Sequence, residues 1–321
     1  MRSEAHRLII IGDVSADLVL GPICGWPQAG TETVVERSEL RAGGSAANAA
    51  LAVSYLGGHS RLLSAVGNDD MGTWLREQLR GLSPSLEVCD APTTLSVGLI
   101  HSWGERTFFT TRGHLEKLSC ELLARQLAPA PLQTSIALLS GAFLTPSLRA
   151  QYPRLIRELN SLGYQVALDT NWPPQNWNST LRQEVGSWIP ECQHILLNEL
   201  EVAGLGDSSD PDVSIDRLTS LLRPGATLVV KAGARGAIGF EGGHRFNCPA
   251  PVATIFDTIG AGDSFNAGYL LARLRGGGLM ESLAAGCNSA SSIISRFPRR
   301  SIVQGEFAAQ LGMLQSVPEE T

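Results

Sequence analysis

Between Ser135 and Lys231 the chain repeats one pattern, and that pattern restricts its fold more than any other feature. Residues 135–140, 164–169, 194–197 and 227–231 are short apolar runs, each leading into polar or small residues. Residues 146–162, 179–188 and 212–222 lie between them and carry apolar side chains at helical spacing. Short apolar strands separated by helices require a parallel sheet covered on both faces. The apolar runs at 6–11 and 61–66, with helical stretches at 46–56 and 70–80, extend it toward the N-terminus. The fold class is α/β, and ligands of such sheets gather at the carboxyl ends of the strands.

A second stretch carries the chemistry. Asp257-Thr258-Ile259-Gly260-Ala261-Gly262-Asp263-Ser264-Phe265-Asn266-Ala267-Gly268 joins a flexible turn to a run, 264–274, that reads as a helix. Glycines ahead of a helix let backbone N–H groups converge where the positive end of the helix dipole also points, and such a place holds an anion. A carboxylate there, Asp263, repels a merely bound anion. It has a purpose if it takes the proton of a hydroxyl that attacks a phosphoryl group. The bland alternative is a tight turn capping a buried helix.

This segment resembles the second signature of the ribokinase-like (PfkB) carbohydrate kinases, D-T-x-G-A-G-D-x-F. The resemblance implies that Asp263 is the catalytic base and that the amides of Gly260, Ala261 and Gly262 form an anion hole for the transferred group. It also implies the fold: a ribokinase-like three-layer sandwich, with a central, mostly parallel sheet and a small β-sheet lid.

Other stretches fit the same family in order. Gly12-Asp13-Val14-Ser15-Ala16-Asp17 follows the first strand. The resemblance gives Asp17 to the sugar hydroxyls, whereas Asp13 is either a second such group or a turn cap. Arg41-Ala42-Gly43-Gly44-Ser45-Ala46-Ala47-Asn48 looks like the first signature, G-G-x-x-x-N, whose glycines and Asn contact the sugar. Read by itself, it is equally a close helix–sheet contact, with Ser45 as N-cap. Asp169-Thr170-Asn171 resembles D-x-N near the phosphate site, but Pro173 stands where sugar-kinase members often carry Arg, which weakens assignment to fructose-like or keto-acid substrates. Asn198-Glu199-Leu200-Glu201 matches N-x-x-E. It implies a nucleotide-side role for Asn198 and a Mg2+ role for Glu201, acting through water as suits that ion. Lys231, Gly233 and Gly236 lie in a stretch similar to the G-x-x-G loop near the nucleotide, or in a simple β-turn to 237–240. Asn288, in a helix over 279–296, falls near the family's adenine-edge residue. Asp257 belongs to the monovalent-cation site of many members. Here Arg296-Phe297-Pro298-Arg299-Arg300 replaces the glycine-containing part of that site, which argues against K+ activation.

Residues 93–111 read as a hairpin turning at Ser102-Trp103-Gly104-Glu105. With residues 14–40 they match the family's lid over the sugar, so the expectation is one domain, 1–321, with lid strands from about 14–40 and 93–112. An apolar lid sheet is often buried on a second copy, so a homodimer through the lid is the corresponding expectation. His101 and His114 have no companion ligands and read as polar surface or lid residues.

Composition removes other classes. A formal charge of −6 argues against nucleic acid as the main partner. Six cysteines without a C-x-x-C pair argue against zinc or a disulfide framework and for a reducing, cytoplasmic compartment. No apolar run reaches the ~20 residues that span a bilayer, and residues 8–11 are too short for a signal peptide. The reading is an ATP-dependent kinase of a sugar or sugar-like alcohol. A nucleoside kinase on the same fold is the close alternative, with Trp26, Trp103 or Phe108 as a base-stacking group. A non-catalytic sugar sensor is the alternative of another class, and an intact base and anion hole argue against it.

Overall fold

The computed structural model describes residues 7–82 and 84–295. Thirteen strands and ten α-helices occur among them. In chain order they are β1 (Leu8–Gly12), β2 (Ser15–Ile23), β3 (Arg37–Gly43), α1 (Ser45–Tyr55), β4 (Arg61–Gly67), α2 (Asp70–Leu79), β5 (Ser85–Cys89), β6 (Leu95–His101), β7 (Arg106–Thr110), α3 (Cys120–Leu123) and β8 (Ile136–Ser140). These are followed by α4 (Pro146–Arg149), α5 (Tyr152–Ser161), β9 (Gln165–Asp169), α6 (Ser179–Trp188), β10 (His194–Asn198), α7 (Glu199–Gly206) and α8 (Pro211–Thr219). The last are β11 (Thr227–Lys231), β12 (Ala237–Glu241), β13 (His244–Cys248), α9 (Ala261–Leu274) and α10 (Leu279–Ile294).

Nine strands form the main sheet in the order β13-β12-β11-β10-β9-β8-β1-β4-β5. It is parallel from β5 to β11, and the β12–β13 hairpin adds two antiparallel strands at one edge. Side chains divide by parity. Leu8, Ile10, Leu62, Val66, Ile136 and Leu138 pack with α1, α2, α9 and α10, while Ile9, Ile11, Leu63, Ala65, Ala137 and Leu139 pack beneath α5, α6 and their neighbours. Both faces are therefore dry, which is why the strands read as continuous apolar runs.

The second sheet has the order β3-β2-β6-β7. Its cross-strand pairs separate two faces. Asp17, Arg41, Ser96 and Thr110 share one row, and Val19, Glu39, Gly98 and Phe108 share the next on the same side. Leu18, Leu40, Val97 and Phe109 lie on the opposite side.

The structure corrects four local expectations. The helix expected over 146–162 is two helices. Pro153 lies in the first turn of α5 and has no N–H to donate to the carbonyl four residues back, so the chain breaks before it. Ser45 is the first residue of α1 and not its cap. Gly44, at φ 90°, takes the cap position without a side-chain bond. Helix α9 begins at Ala261, three residues early, because Gly260 adopts φ 73° and starts the helix at once. His114 is neither a surface nor a lid-strand residue but is buried, accepting a bond from the Thr94 amide through Nδ1 at 3.0 Å, whereas His101, also buried, does lie in the lid as the last residue of β6. Strand β5 and helix α7 were not expected. The Gly242-Gly243 turn, both residues at positive φ, was the available sign of the β12–β13 hairpin.

Candidate active site

The first turn of α9 faces the carboxyl ends of β1, β9 and β11. Asp263 is its third residue, where a carboxylate suits the helix dipole. Of the first-turn amides, that of Ala261 donates to the Thr258 carbonyl at 3.2 Å. Those of Gly260 and Gly262 have no acceptor within the helix, as in any helix start. A ligand anion would meet the second pair first.

Asp263 is 7% exposed, and the Asn48 side chain donates to its Oδ2 at 3.0 Å. Burial pushes its pKa up to about 8. The Asp169 charge adds to this and Asp13 adds less, while the Asn48 bond and the Lys231 charge oppose it. The carboxyl is therefore poised to hold or release a proton near neutral pH.

Asp169, at the end of β9, is 1% exposed and organises the floor. Its Oδ2 accepts from Lys231 Nζ at 2.7 Å and from the Asn266 side-chain amide, while Oδ1 accepts from the Asn171 amide at 3.3 Å. Asn171, at φ 61°, then binds the Gly141 amide through Oδ1 at 2.8 Å and Ser45 Oγ through Nδ2 at 2.9 Å. One residue thus joins the loops after β8 and β9 to the start of α1. Neither that role nor Asn266 was assigned from sequence.

The acids after β1 differ in environment. Asp13 accepts the Ala46 amide through Oδ1 at 3.1 Å and so caps α1, which accounts for the glycine at the cap position. Burial raises its pKa, against the Ala46 and Ser45 amides. Asp17 sits on the lid beside Gly43 and Arg41 and accepts from Ser15 Oγ at 2.7 Å. Burial lifts it to about 6 against the Ser15 bond and the Arg41 charge. A Cβ on Gly43 would fall 2.0 Å from the Asp17 carboxyl carbon, and one on Gly44 would fall 2.5 Å from the Asp13 carbonyl oxygen. The paired glycines therefore exist for close approach.

The N-x-x-E string closes a capping box on α7. Asn198 Oδ1 accepts the Glu201 amide at 2.9 Å, and Glu201 Oε2 accepts the Asn198 amide at 2.8 Å. Its spacing has this local use as well as the implied nucleotide-side one. Burial raises Glu201 to about 7, aided by Asp169 and opposed by Lys231. Gly233 opens and Gly236 follows a single 3-10 turn after β11, at φ 57° and 99°, and a Cβ on Gly236 would lie 2.0 Å from the Cys248 carbonyl oxygen. Asn288 is half-buried on α10.

Lid arginines grip the segment before the anion turn. Arg41 Nη1 lies 3.5 Å from Asp257 Oδ2, Arg106 donates to Thr258 Oγ1 at 2.7 Å, and the Arg37 guanidinium stands 4.5 Å over the Phe256 ring. Asp257 Oδ1 accepts the Ile259 amide at 2.7 Å. The 296–300 stretch lies outside the described residues. Among the described residues no three His, Cys, Asp or Glu side chains cluster as metal ligands, and no helix is long and apolar enough to cross a membrane.

A buried carboxyl beside amides at a helix start, facing acids at strand ends, is the equipment of a phosphotransferase acting on an alcohol. The comparisons agree. The model of the pfkB family of carbohydrate kinases matches residues 5–301. A fructokinase of Klebsiella pneumoniae is 31% identical over 253 residues, 76% of this chain and 80% of that protein. A 2-dehydro-3-deoxygluconokinase of Escherichia coli K12 is 30% identical over 268 residues, 77% of this chain and 82% of that one. The structure of aminoimidazole riboside kinase from Salmonella enterica, complexed with aminoimidazole riboside and an ATP analog, superposes with a TM-score of 0.74 at 20% identity, covering 95% of this chain and 98% of that one. The chain belongs to the pfkB family of carbohydrate kinases and is a phosphotransferase.

Proposed function

We propose that the protein transfers the γ-phosphoryl group of ATP to a primary hydroxyl of a sugar or sugar-like alcohol, with Asp263 as base. The observation that carries this reading is the Asp263 carboxyl, buried with a proton affinity near neutrality, one residue from an amide of the anion turn. Asp17, Gly43, Gly44 and Asn48 hold the acceptor. Its oxygen forms a bond to the γ-phosphorus as the bond to the β,γ-bridging oxygen breaks. The hydroxyl proton passes to Asp263, and ADP leaves with the electron pair. The Gly260 and Gly262 amides receive the equatorial oxygens. Asn48 takes a second part besides substrate contact, since its bond fixes which Asp263 oxygen faces the acceptor.

The residues fit the triphosphate. The amides and Lys231 offer donors, and in this reading Asn198 at the end of β10, Gly233 and Gly236 after β11, and Asn288 on α10 take the nucleotide. Mg2+ fits as an ion held chiefly by phosphate and water, for which the single Glu201 carboxylate suffices. When bound it neutralises developing phosphate charge. Asp257 is engaged by Arg41 and the Ile259 amide, which supports K+-independence.

A nucleoside acceptor is the second reading. It rests on Phe108, which lies on the Asp17 face of the lid with its ring against Gly98, where a Cβ would come within 2.7 Å of it. That ring is a stacking platform for a nucleobase. ATP consumption over a panel of ketoses, sugar acids and nucleosides decides between them. Turnover with none, alongside sugar-dependent thermal shifts, would leave a binding protein instead.

The other face of the lid supports a homodimer. Phe109 is 53% exposed there beside Trp26, with Trp103 exposed nearby. In light scattering we expect a dimer for the wild type and a monomer for Phe109→Asp. A wild-type monomer at micromolar concentration would remove the lid interface.

A further inference from the structure

Lys231 is one of only two lysines among 25 basic residues, so the chain has placed a compact point charge where its habit is Arg. The ammonium is buried at the end of β11, with 11% of the side chain exposed. It has three N–H donors. One reaches Asp169 Oδ2 at 2.7 Å and another Asn266 Oδ1 at 3.4 Å, and among the described residues the third meets no acceptor. Nζ lies 3.5 Å from where a Cβ on Gly262 would stand, beside one of the amides of the anion turn. A side chain at residue 262 would fill the gap between that amide and the ammonium. Its absence leaves space there for an oxygen.

The charge around this space is otherwise adverse. Asp169 from β9, Glu201 from α7, Asp263 from α9 and Asp13 after β1 all face the site, and Lys231 is the cation set among them. Burial acts to lower the Lys231 pKa, but Asp169 first, then Glu201 and Asp263, hold it above its ordinary range, so it stays charged. A phosphoryl group arriving with negative charge could not approach these acids without a compensating cation.

Building on the phosphotransfer reading above, we propose that Lys231 is a catalytic residue: its third N–H donates to a non-bridging oxygen of the phosphoryl group in flight, while Asp169 and Asn266 hold the ammonium in place. Sequence resemblance put Lys231 only in a loop near the nucleotide. The geometry assigns it to the transferred group.

The competing role is plain neutralisation of Asp169. Removing the lysine alone strands a buried carboxylate and harms folding, so Lys231→Met is compared with Asp169→Asn and with Asp169→Asn/Lys231→Met, in which neither charge remains. Thermal denaturation identifies the variants that fold. We expect Lys231→Met to lose ~10²–10³-fold in kcat, as for loss of one oxyanion donor, with the sugar KM little changed. The double variant should regain stability but keep the low kcat. Recovery of the double variant to the rate of Asp169→Asn would overturn the proposal.

A binding measurement gives the independent readout. The double variant should lose ~10-fold or more in affinity for a non-hydrolysable ATP analogue, the scale of one hydrogen bond to a charged group, and bind ADP as Asp169→Asn does. Equal losses for both nucleotides would also overturn it. If Asp169→Asn alone abolishes turnover, this comparison decides. Asp263→Asn run in the same assays tests the base separately: normal turnover there sinks the phosphotransfer reading, whatever the Lys231 results.

Discussion

Asp263→Asn is expected to lower kcat by ~10²–10⁴-fold, the usual weight of a general base, with the sugar KM near that of the wild type. Asn keeps the shape and an oxygen for the Asn48 donor, so geometry survives and only proton acceptance is lost. The wild-type pH profile should show the same group. A base must be unprotonated, and burial together with the Asp169 charge lifts Asp263 to about 8, so kcat/KM should rise with pH through that region. A profile flat from pH 6 to 9 would remove Asp263 as the titrating base. Stability should move the other way. The folded-state pKa lies above the unfolded value of 3.8, so folding favours the protonated acid. Its cost to stability is absent below pH 3.8 and grows until about pH 8. The Asn variant escapes that cost and should melt above the wild type at pH 8, with a gap that narrows toward pH 4. A more stable but inactive variant would show that the carboxyl is kept for chemistry and not for folding.

The layered fold was legible because it depends on local pattern. Runs such as Leu8-Ile9-Ile10-Ile11 are apolar at every position only when both faces of a strand are covered, and the structure covers both. The break before Pro153 was equally local, and the proline announced it. The length of the apolar pattern hid it. Ser45 misled for a different reason. A serine beside a helix start is a good cap by itself, but the Asp13 carboxyl arrives from 33 residues away and takes the Ala46 amide. No local rule weighs a cap from a distant loop.

The site shows the same division. Asp263, Asp17 and Asn48 stood out because each sits in a short string whose spacing carries meaning. What organises them does not. Asn48 reaches Asp263 across 215 residues, Lys231 reaches Asp169 across 62, and Arg41 reaches Asp257 across 216. The first pair joins two helices, the second the ends of two strands, and the third the lid to the segment before α9, so topology makes them, and only the three-dimensional arrangement shows that Asp169 is the hub. Glu201 adds a case in which the string has a local use that the family resemblance does not announce, since Asn198 and Glu201 close a capping box on α7 at the spacing the motif also requires.

Gly43→Ala should raise the sugar KM by ~10–100-fold while kcat and the ATP KM change little. The scale is that of one or two hydrogen bonds from hydroxyls to a charged acceptor. Gly43 is a strand residue outside the positive-φ set, so alanine suits its backbone. The obstacle is Asp17. The new methyl would lie 2.0 Å from the carboxyl carbon and from Oδ2, and 2.3 Å from Oδ1, closer than atoms approach. Asp17 is 5% exposed and cannot swing into open solvent, so it must turn away, giving up the 2.7 Å bond from Ser15 and its aim at the acceptor. If that is the whole effect, Gly43→Ala acts through Asp17 and the two changes are not additive. Asp17→Asn/Gly43→Ala should then bind sugar about as poorly as Asp17→Asn alone. Independent, additive losses would mean that the methyl blocks the sugar directly, and that Gly43 borders the acceptor instead of making room for the carboxylate that holds it.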